Sequence, residues 1–189
     1  MSLSKIEDIE KIKHILSNLN TDLTLYKQLY MQEDSQEILN GTGVLVFSRF
    51  QSCLLDSIYL AISRLLDPAK NRKDKNLSFN LLIADLNLSE EPDVSKLLEK
   101  AQGIFKDSKV KEYRNKVLSH NDYSSQAKVV FYPFNTDLIS SILSSFWELL
   151  IQIEYKVGVI ESPYTMGLET ILRGDICGEA LLCKLRERT

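Results

Sequence analysis

Apolar residues recur every three or four positions along the first part of this chain. From residue 4 to about residue 32 the repeating positions are Ile6, Ile9, Ile12, Ile15 or Leu16, Leu19, Leu23, Tyr26, and Leu29 or Tyr30. This spacing follows the 3.6-residue turn of an α-helix, so one side of the helix is apolar and the other is polar. The pattern predicts a long amphipathic helix over this segment.

The same spacing returns in later segments, and residues that interrupt helices are few. Only 7 glycines and 4 prolines occur in 189 residues, of which 44% are apolar. Further helices are expected at about 37–66, 77–86, 89–107, 108–119, 135–157 and 180–188. We therefore predict an all-α fold, a mostly antiparallel bundle of four to five long helices with short extra helices. One domain over 1–189 suffices, with a core at about 5–157 and a C-terminal helical extension at 158–189.

Residues at the ends of these segments predict where the helices begin and end. Ser78 or Asn76 is a candidate N-cap, and the segment 135–137 caps the helix that follows it. Asp67 before Pro68 closes the second helix, because proline disfavours the helical conformation in the preceding residue. The basic segment 68–76 is predicted to be a solvated loop, and residues 127–133 an extended connection.

Charge and cysteine content narrow the function classes. A net charge of −3 and a pI near 5.5 argue against a protein that coats nucleic acid through bulk electrostatics, so any nucleic-acid site is local. Three cysteines without C-x-x-C spacing indicate free thiols, so neither a disulfide framework nor a zinc site is expected. The N-terminus has no signal-peptide pattern, and nowhere do 18 apolar residues run together. We expect a cytoplasmic protein with no membrane contact, no metal and no cofactor.

The segment 109–123 holds the residues best suited to chemistry. It contains His120, one of only two histidines, with Arg114 and Asn115 six and five positions before it, and a local excess of positive charge. Histidine transfers protons near neutral pH, and the planar guanidinium of arginine can hold a phosphate through two hydrogen bonds. These are the groups that metal-independent cleavage of RNA requires, and Asn115 could orient either of them.

The spacing of Arg114 and His120 imposes a condition on that chemistry. Residues six apart in an unbroken helix lie about 240° apart around the axis, so the helix must end or distort near Ser119, or two chains must pool their residues. The residues alone also fit a structural histidine after a helix C-terminus, where the helix dipole favours its cation. The other histidine, His14, is assigned to a solvated surface.

Two stretches resemble the HEPN superfamily (higher eukaryote and prokaryote nucleotide-binding). In Tyr113-Arg-Asn-Lys-Val-Leu-Ser-His120, an arginine followed by a polar residue precedes histidine with five positions between them, within the family's range of four to six. The segment Asp56-Ser-Ile-Tyr-Leu-Ala-Ile-Ser-Arg-Leu-Leu-Asp-Pro68, with the basic segment after it, resembles the abortive-infection branch of that superfamily.

The resemblance implies a dimeric helical bundle that cleaves RNA without metal and leaves a 2′,3′-cyclic phosphate. Arg114 and His120 would be catalytic with Asn115 supporting them, and Lys111, Lys116 and Arg64 would bind the substrate. Lys109, together with Lys70, Arg72 and Lys73 in the segment 68–76, would help to draw in RNA. The implied partners are RNA, a second copy of the chain, and an antitoxin or nucleotidyltransferase. Some relatives carry His-x-Tyr, whereas Tyr123 here follows the histidine one residue later.

Two other functions stay open at this point. The chain could be a non-catalytic scaffold that binds a nucleotide or a partner protein, with a structural arginine and histidine. It could also be a helical interaction protein in which Phe146, Trp147 and neighbouring leucines form the oligomer surface, although these aromatic residues also suit a core.

Overall fold

A computed structural model describes residues 3–114, 134–167, 170–175 and 177–187. In these ranges the chain forms seven helices and one small hairpin, so the predicted all-α fold is confirmed. The helices are α1 (Leu3–Tyr30), α2 (Ser35–Leu65), α3 (Phe79–Asp85), α4 (Pro92–Asp107), α5 (Val110–Tyr113), α6 (Thr136–Lys156) and α7 (Gly178–Arg186), and the hairpin strands are β1 (Lys70–Asn71) and β2 (Asp74–Lys75).

The four long helices run antiparallel to their neighbours, as side-chain contacts between them establish. Lys13 bonds Glu154 at 2.8 Å and Lys27 bonds Ser140 at 3.2 Å, so the start of α1 faces the end of α6. On α1, Tyr30 donates to the carbonyl of Phe47, and the earlier residue Asp22 accepts from Ser57, which comes later on α2. The helices α1 and α2 therefore run in opposite directions. In the same way Lys156, at the end of α6, bonds Glu91 at the start of α4.

The core lies where α1, α2, α4 and α6 meet. Its largest side chains below 2% exposure include Phe79, Phe146, Ile9, Ile58 and Ile142, and Trp147 is 2% exposed. Burial of each such side chain stabilises the fold by about 1.5–3 kcal/mol. Because Phe146 and Trp147 are inside, the prediction that they form an oligomer surface is wrong and the alternative prediction of core aromatics is confirmed.

The first half of α2 has an exposed apolar surface. The helix is interrupted at Gly43, whose φ and ψ are −178° and 70°. Beyond this kink four side chains are exposed: Val44 at 49%, Leu45 at 82%, Val46 at 69% and Phe50 at 42%. The apolar spacing of the segment 37–66 predicts that Val44 faces inward, as Ile58 does. For Val44 this prediction is wrong, since no described element covers the side of α2 on which it lies. Among the described residues, α2 is long and apolar enough to cross a membrane by length and composition, a test that core helices also pass.

Helix α7 packs on the end of α1 and the start of α2. Leu182 is buried with Leu29, Ile38 and Leu39 in a second, smaller apolar cluster. Arg186 makes two hydrogen bonds of 2.6 Å to the carboxylate of Asp34. The C-terminal part of the chain is therefore attached at the end of the bundle far from Asp67.

The segment 68–76 forms an exposed hairpin instead of the predicted loop. Lys70 pairs with Lys75 and Asn71 with Asp74, and Arg72 has a positive φ of 56° between the strands. Ser78 then caps α3 by accepting from the amide of Leu81, which confirms one of the two predicted caps. The predicted extended connection at 127–133 lies outside the described residues.

Candidate functional site

Arg114 lies at the end of α5 and is bonded to the end of α2. Its Nη1 donates to the Asp67 carboxylate at 2.6 Å and to Ser63 Oγ at 2.8 Å. The side chains of Arg114 and Asp67 are only 27% and 22% exposed, so this is a partly desolvated ion pair. Arg114 is therefore directed at the end of α2 and not into open solvent, because α5 packs against α2 as well as α4.

The residue before Arg114 fixes α5 on the same helix. The hydroxyl of Tyr113 donates to Asp56 Oδ1 at 2.7 Å, and its ring lies 4.6 Å from the ring of Tyr59. Burial raises the pKa of the Tyr59 hydroxyl to about 12. Burial, followed by the bond to Asp56, raises the pKa of Tyr113 still further above its usual range. Both hydroxyls therefore stay protonated near neutral pH, and Tyr113 keeps its donor for Asp56.

The backbone around Asp67 is held from a third element. The side-chain amide of Asn80, on α3, donates to the carbonyls of Leu66 at 3.1 Å and Asp67 at 3.0 Å. These carbonyls follow the end of α2, where helical partners are missing. Asn80 therefore satisfies two polar groups and fixes the position from which Asp67 reaches Arg114.

A cleft of about 500 Å³ opens beside this ion pair. We call it the arginine cleft and define it by its polar lining, which consists of Arg64, Asp67, Asn71, Lys75, Asn76 and Arg114. Three of these side chains are cations and one is an acid, although Lys75 is also bonded to Asp85 at 3.0 Å. The hairpin thus forms one wall of the cleft and the α2–α5 contact forms another. A cleft with this balance of charge suits an anionic ligand.

A second cleft, of about 610 Å³, lies on the other side of the segment 65–67. We call it the lysine cleft; it is lined by Leu66, Gln102, Phe105, Lys106, Lys109, Lys111 and Glu112. Leu65 and Asp67 line the arginine cleft while Leu66 lines this one, so the two clefts are neighbours. Lys111 and Arg114, one turn apart at the end of the same helix, each face a different cleft.

The structure thus brings together some of the sequence-predicted site residues. Arg64 and Arg114 share the arginine cleft, and Lys111 lies in the lysine cleft. Asn115, Lys116 and His120 lie outside the described residues, as does Tyr123. His14 is exposed, as expected, and its ring nitrogen is 3.2 Å from the side-chain nitrogen of Asn18.

Sequence reasoning missed Asp67 and Ser63 as partners of Arg114. Both residues lie in the segment 56–68, in which Asp67 indicates only where the second helix ends. The available signal was an acid and a hydroxyl four residues apart near a helix end, a spacing that lets both side chains reach one partner. Among the described residues, no group of three or more histidine, cysteine or acidic side chains could hold a metal ion.

Comparison with known families gives one match. The family model HEPN_AbiU2, described as AbiU2, matches residues 9–160 of this chain. The matched range includes α1 through α6 apart from the first residues of α1, and therefore both clefts and the whole of the segment 109–123. No curated protein and no solved structure matches the chain. The division into a core at 5–157 and an extension at 158–189 stays a prediction.

Proposed function

This chain belongs to the AbiU2 family of HEPN proteins, and on that basis we propose that it is a metal-independent endoribonuclease of a toxin or phage-defence system. The family membership makes it an abortive-infection-related protein with a HEPN domain. The proposed catalytic residues are Arg114 and His120, with Asn115 supporting them. Arg64, Lys111 and Lys116 would hold the RNA.

The observation that carries the proposal is the way in which Arg114 is held beside its cleft. The two hydrogen bonds that Arg114 makes to described residues both leave from Nη1, towards Asp67 and Ser63. A guanidinium has five N–H donors, and those on Nε and Nη2 take no part in either bond. One edge of the group therefore fixes it while the other edge remains suited to two hydrogen bonds with a phosphate.

In the proposed reaction the 2′-oxygen of a ribose attacks the adjacent phosphorus and the bond from phosphorus to the 5′-oxygen breaks. His120 takes the proton of the 2′-hydroxyl, and a protonated group supplies a proton to the leaving 5′-oxygen. Arg114 stabilises the charge on the phosphorane between these steps. The products are a 2′,3′-cyclic phosphate and a 5′-hydroxyl, so protons and bonds balance without a metal.

The proposal includes a cytoplasmic homodimer, controlled by an antitoxin or nucleotidyltransferase partner. The exposed apolar side chains of α2, with Leu45 at their centre, suit contact with a second copy because they leave apolar surface in water. Leu45 and Ser63 are 18 residues apart in α2, which is about 27 Å along the axis. The Arg114 sites of the two copies, which lie beside Ser63, would therefore meet only if the α2 helices of the two copies run in the same direction.

The test is cleavage of a mixed RNA in EDTA by the wild type, Arg114→Ala, His120→Ala and the control Arg173→Ala. Arg173 is exposed, lines neither cleft and lies away from the exposed apolar side chains of α2. We expect cyclic-phosphate ends from the wild type and the control, and a loss of about 100-fold or more in both motif variants. Cleavage that survives His120→Ala would refute the proposal, because a contaminating nuclease or another residue would then be responsible.

A second candidate function, a non-catalytic scaffold that binds a nucleotide or partner protein, is favoured by the same ion pair. Arg114 connects α5 to α2 through Asp67 and Ser63, which is what a purely structural arginine would do. This alternative predicts that no version of the protein cleaves RNA and that Arg114→Ala lowers thermal stability. Under it, nucleotide binding in the clefts would persist in His120→Ala.

A further inference from the structure

The lysine cleft has a composition that the catalytic motif does not require. Its rim carries Lys106, Lys109 and Lys111, all exposed, and its inner wall includes the partly buried Phe105. A volume of about 610 Å³ lies within the range of about 300–1,000 Å³ that is usual for small-molecule sites. Cations beside an aromatic ring form the combination that binds single-stranded nucleic acid, through phosphates and base stacking respectively.

A specific turn brings these side chains to one place. Lys109 has a positive φ of 59°, a conformation that L-residues other than asparagine, aspartate and glycine seldom adopt. Ser108 supports the turn, since its hydroxyl donates to the Phe105 carbonyl at 2.6 Å and accepts from the Val110 amide at 3.2 Å. The turn ends α4 and starts α5, so lysines from both helices face the same cleft.

We propose that the lysine cleft binds the nucleotide next to the scissile phosphate, and that the substrate is therefore unpaired RNA. This inference rests on the proposed function for the position of the scissile phosphate at Arg114. The strand passes over the segment 65–67 from one cleft to the other. Phe105 stacks on the base, while Lys106 and Lys109 contact the flanking phosphate. Bases in a duplex are paired and stacked on each other, so they cannot enter such a cleft.

The experiment measures binding of a fluorescent eight-nucleotide RNA to the full chain carrying His120→Ala, over a range of salt concentrations. On that background we compare Lys106→Ala with Lys109→Asn as a double variant, and Phe105→Leu. Asparagine replaces Lys109 because it accepts the positive φ of that position. The matched control is Lys96→Ala with Lys184→Ala, which removes two exposed charges outside both clefts.

The double variant should lower the slope of log K against log salt by about 0.7, because the two lysines together neutralise one phosphate and each phosphate neutralised on a single strand contributes about 0.7. Phe105→Leu should weaken binding by about fivefold or more without changing that slope. The control should behave as the parent protein, and a duplex of the same sequence should bind equally to all variants. An unchanged slope and affinity in both cleft variants would overturn the inference.

The outcomes separate this inference from the proposed function. If the wild type cleaves RNA, the cleft variants bind RNA like their His120→Ala parent, and the same cleft substitutions made without His120→Ala leave cleavage unchanged, the cleft assignment fails and the ribonuclease proposal stands. If no protein cleaves RNA but the cleft variants lose binding as described, the ribonuclease proposal fails and the cleft remains a single-strand binding site.

Discussion

The ion pair between Arg114 and Asp67 should make a measurable contribution to stability. Exposed ion pairs contribute about 0.2–1 kcal/mol, whereas hydrogen bonds to charged groups that are shielded from water contribute about 1.5–3 kcal/mol. The two side chains here are 27% and 22% exposed and 2.6 Å apart, between those cases. We therefore expect a coupling free energy of about 1.5 kcal/mol, of which a high salt concentration removes only a part.

The coupling is measured by a double-mutant cycle with Asp67→Asn and Arg114→Gln, through urea unfolding at 25 °C. Asp67→Asn keeps the size of the side chain and an oxygen acceptor, whereas Arg114→Gln shortens the side chain and removes its charge. For a chain of this size, a loss of about 1.5 kcal/mol lowers the midpoint of thermal unfolding by roughly 3–6 °C. Asp67→Asn alone should therefore already shift the thermal midpoint within this range.

Lys100 and Glu148 provide the matched control, because their atoms are also 2.6 Å apart but their side chains are 48% and 44% exposed. The same cycle at this pair should give a coupling below about 0.5 kcal/mol that disappears in 1 M salt. If both pairs give the same coupling, burial does not strengthen the Arg114 contact. The argument that Asp67 holds this guanidinium in place would then be refuted.

Three further predictions concern other parts of the fold. Tyr59→Phe should weaken the fall of unfolding free energy with rising pH. The Tyr59 hydroxyl has a pKa of about 10 in the unfolded chain and about 12 in the folded protein, so between these values only the folded state keeps the proton, and the wild type loses about 1.4 kcal/mol of stability per pH unit from this group. Urea unfolding at pH 9–12 measures this difference, and an identical pH dependence in the variant would contradict the assignment. Gly178→Ala should lower the midpoint of thermal unfolding by several degrees and expose α7 to hydrogen exchange, because the added Cβ would lie 2.9 Å from both Gln28 Cβ and Leu29 Cγ. Gly174→Ala is the control and should be neutral, because its added Cβ would have no atom within 4 Å. Leu45→Glu should halve the molar mass measured by light scattering, from the proposed dimer to a monomer, with an unchanged fold. Ile171→Glu, at a position 97% exposed, is the control and should leave the mass unchanged. A monomeric wild type would refute the proposed dimer.

Much of the helical framework could be predicted because its signals are local. The apolar spacing in α1 placed Ile9 and Ile12 inside, and both are buried; of the alternatives Ile15 and Leu16 at the next position, Leu16 is the buried one. Asn135 caps α6 by accepting from the amides of Asp137 and Leu138 at 3.0 Å each, as the residue type suggested. Each of these features depends on residues within about one turn of each other, so one sequence suffices to find it.

Exposure along α2 could not be predicted in the same way. The apolar spacing is as regular around Val44 as around Ile58, yet Val44 is 49% exposed and Ile58 is fully buried. The difference arises because Ile58 faces the core that the helices share, whereas no described element covers the side of α2 that carries Val44. Burial depends on which helices become neighbours, and periodicity in one segment carries no information about that.

In the candidate site, too, residues could be predicted from a local motif, but contacts between distant residues could not. Arg114 and Arg64 were found from a motif and its neighbourhood, whereas the bond between Arg114 and Asp67 joins residues 47 positions apart. Its formation requires α5 to turn back onto α2, which in turn requires the positive φ of Lys109. A lysine at a position that favours asparagine or glycine gives no sequence signal for a turn, so neither the ion pair nor the lysine cleft could be foreseen.

The geometry of Arg114 also bears on the choice between a catalytic and a structural arginine. The two roles use different nitrogens of one group, since Nη1 binds Asp67 and Ser63 while Nε and Nη2 take part in neither bond. A lysine has a single charged nitrogen, so it could replace the link to α2 or the contact with phosphate but could not supply both. If Arg114 also contacts a phosphate, as proposed, the two roles together would explain why an arginine stands at this position.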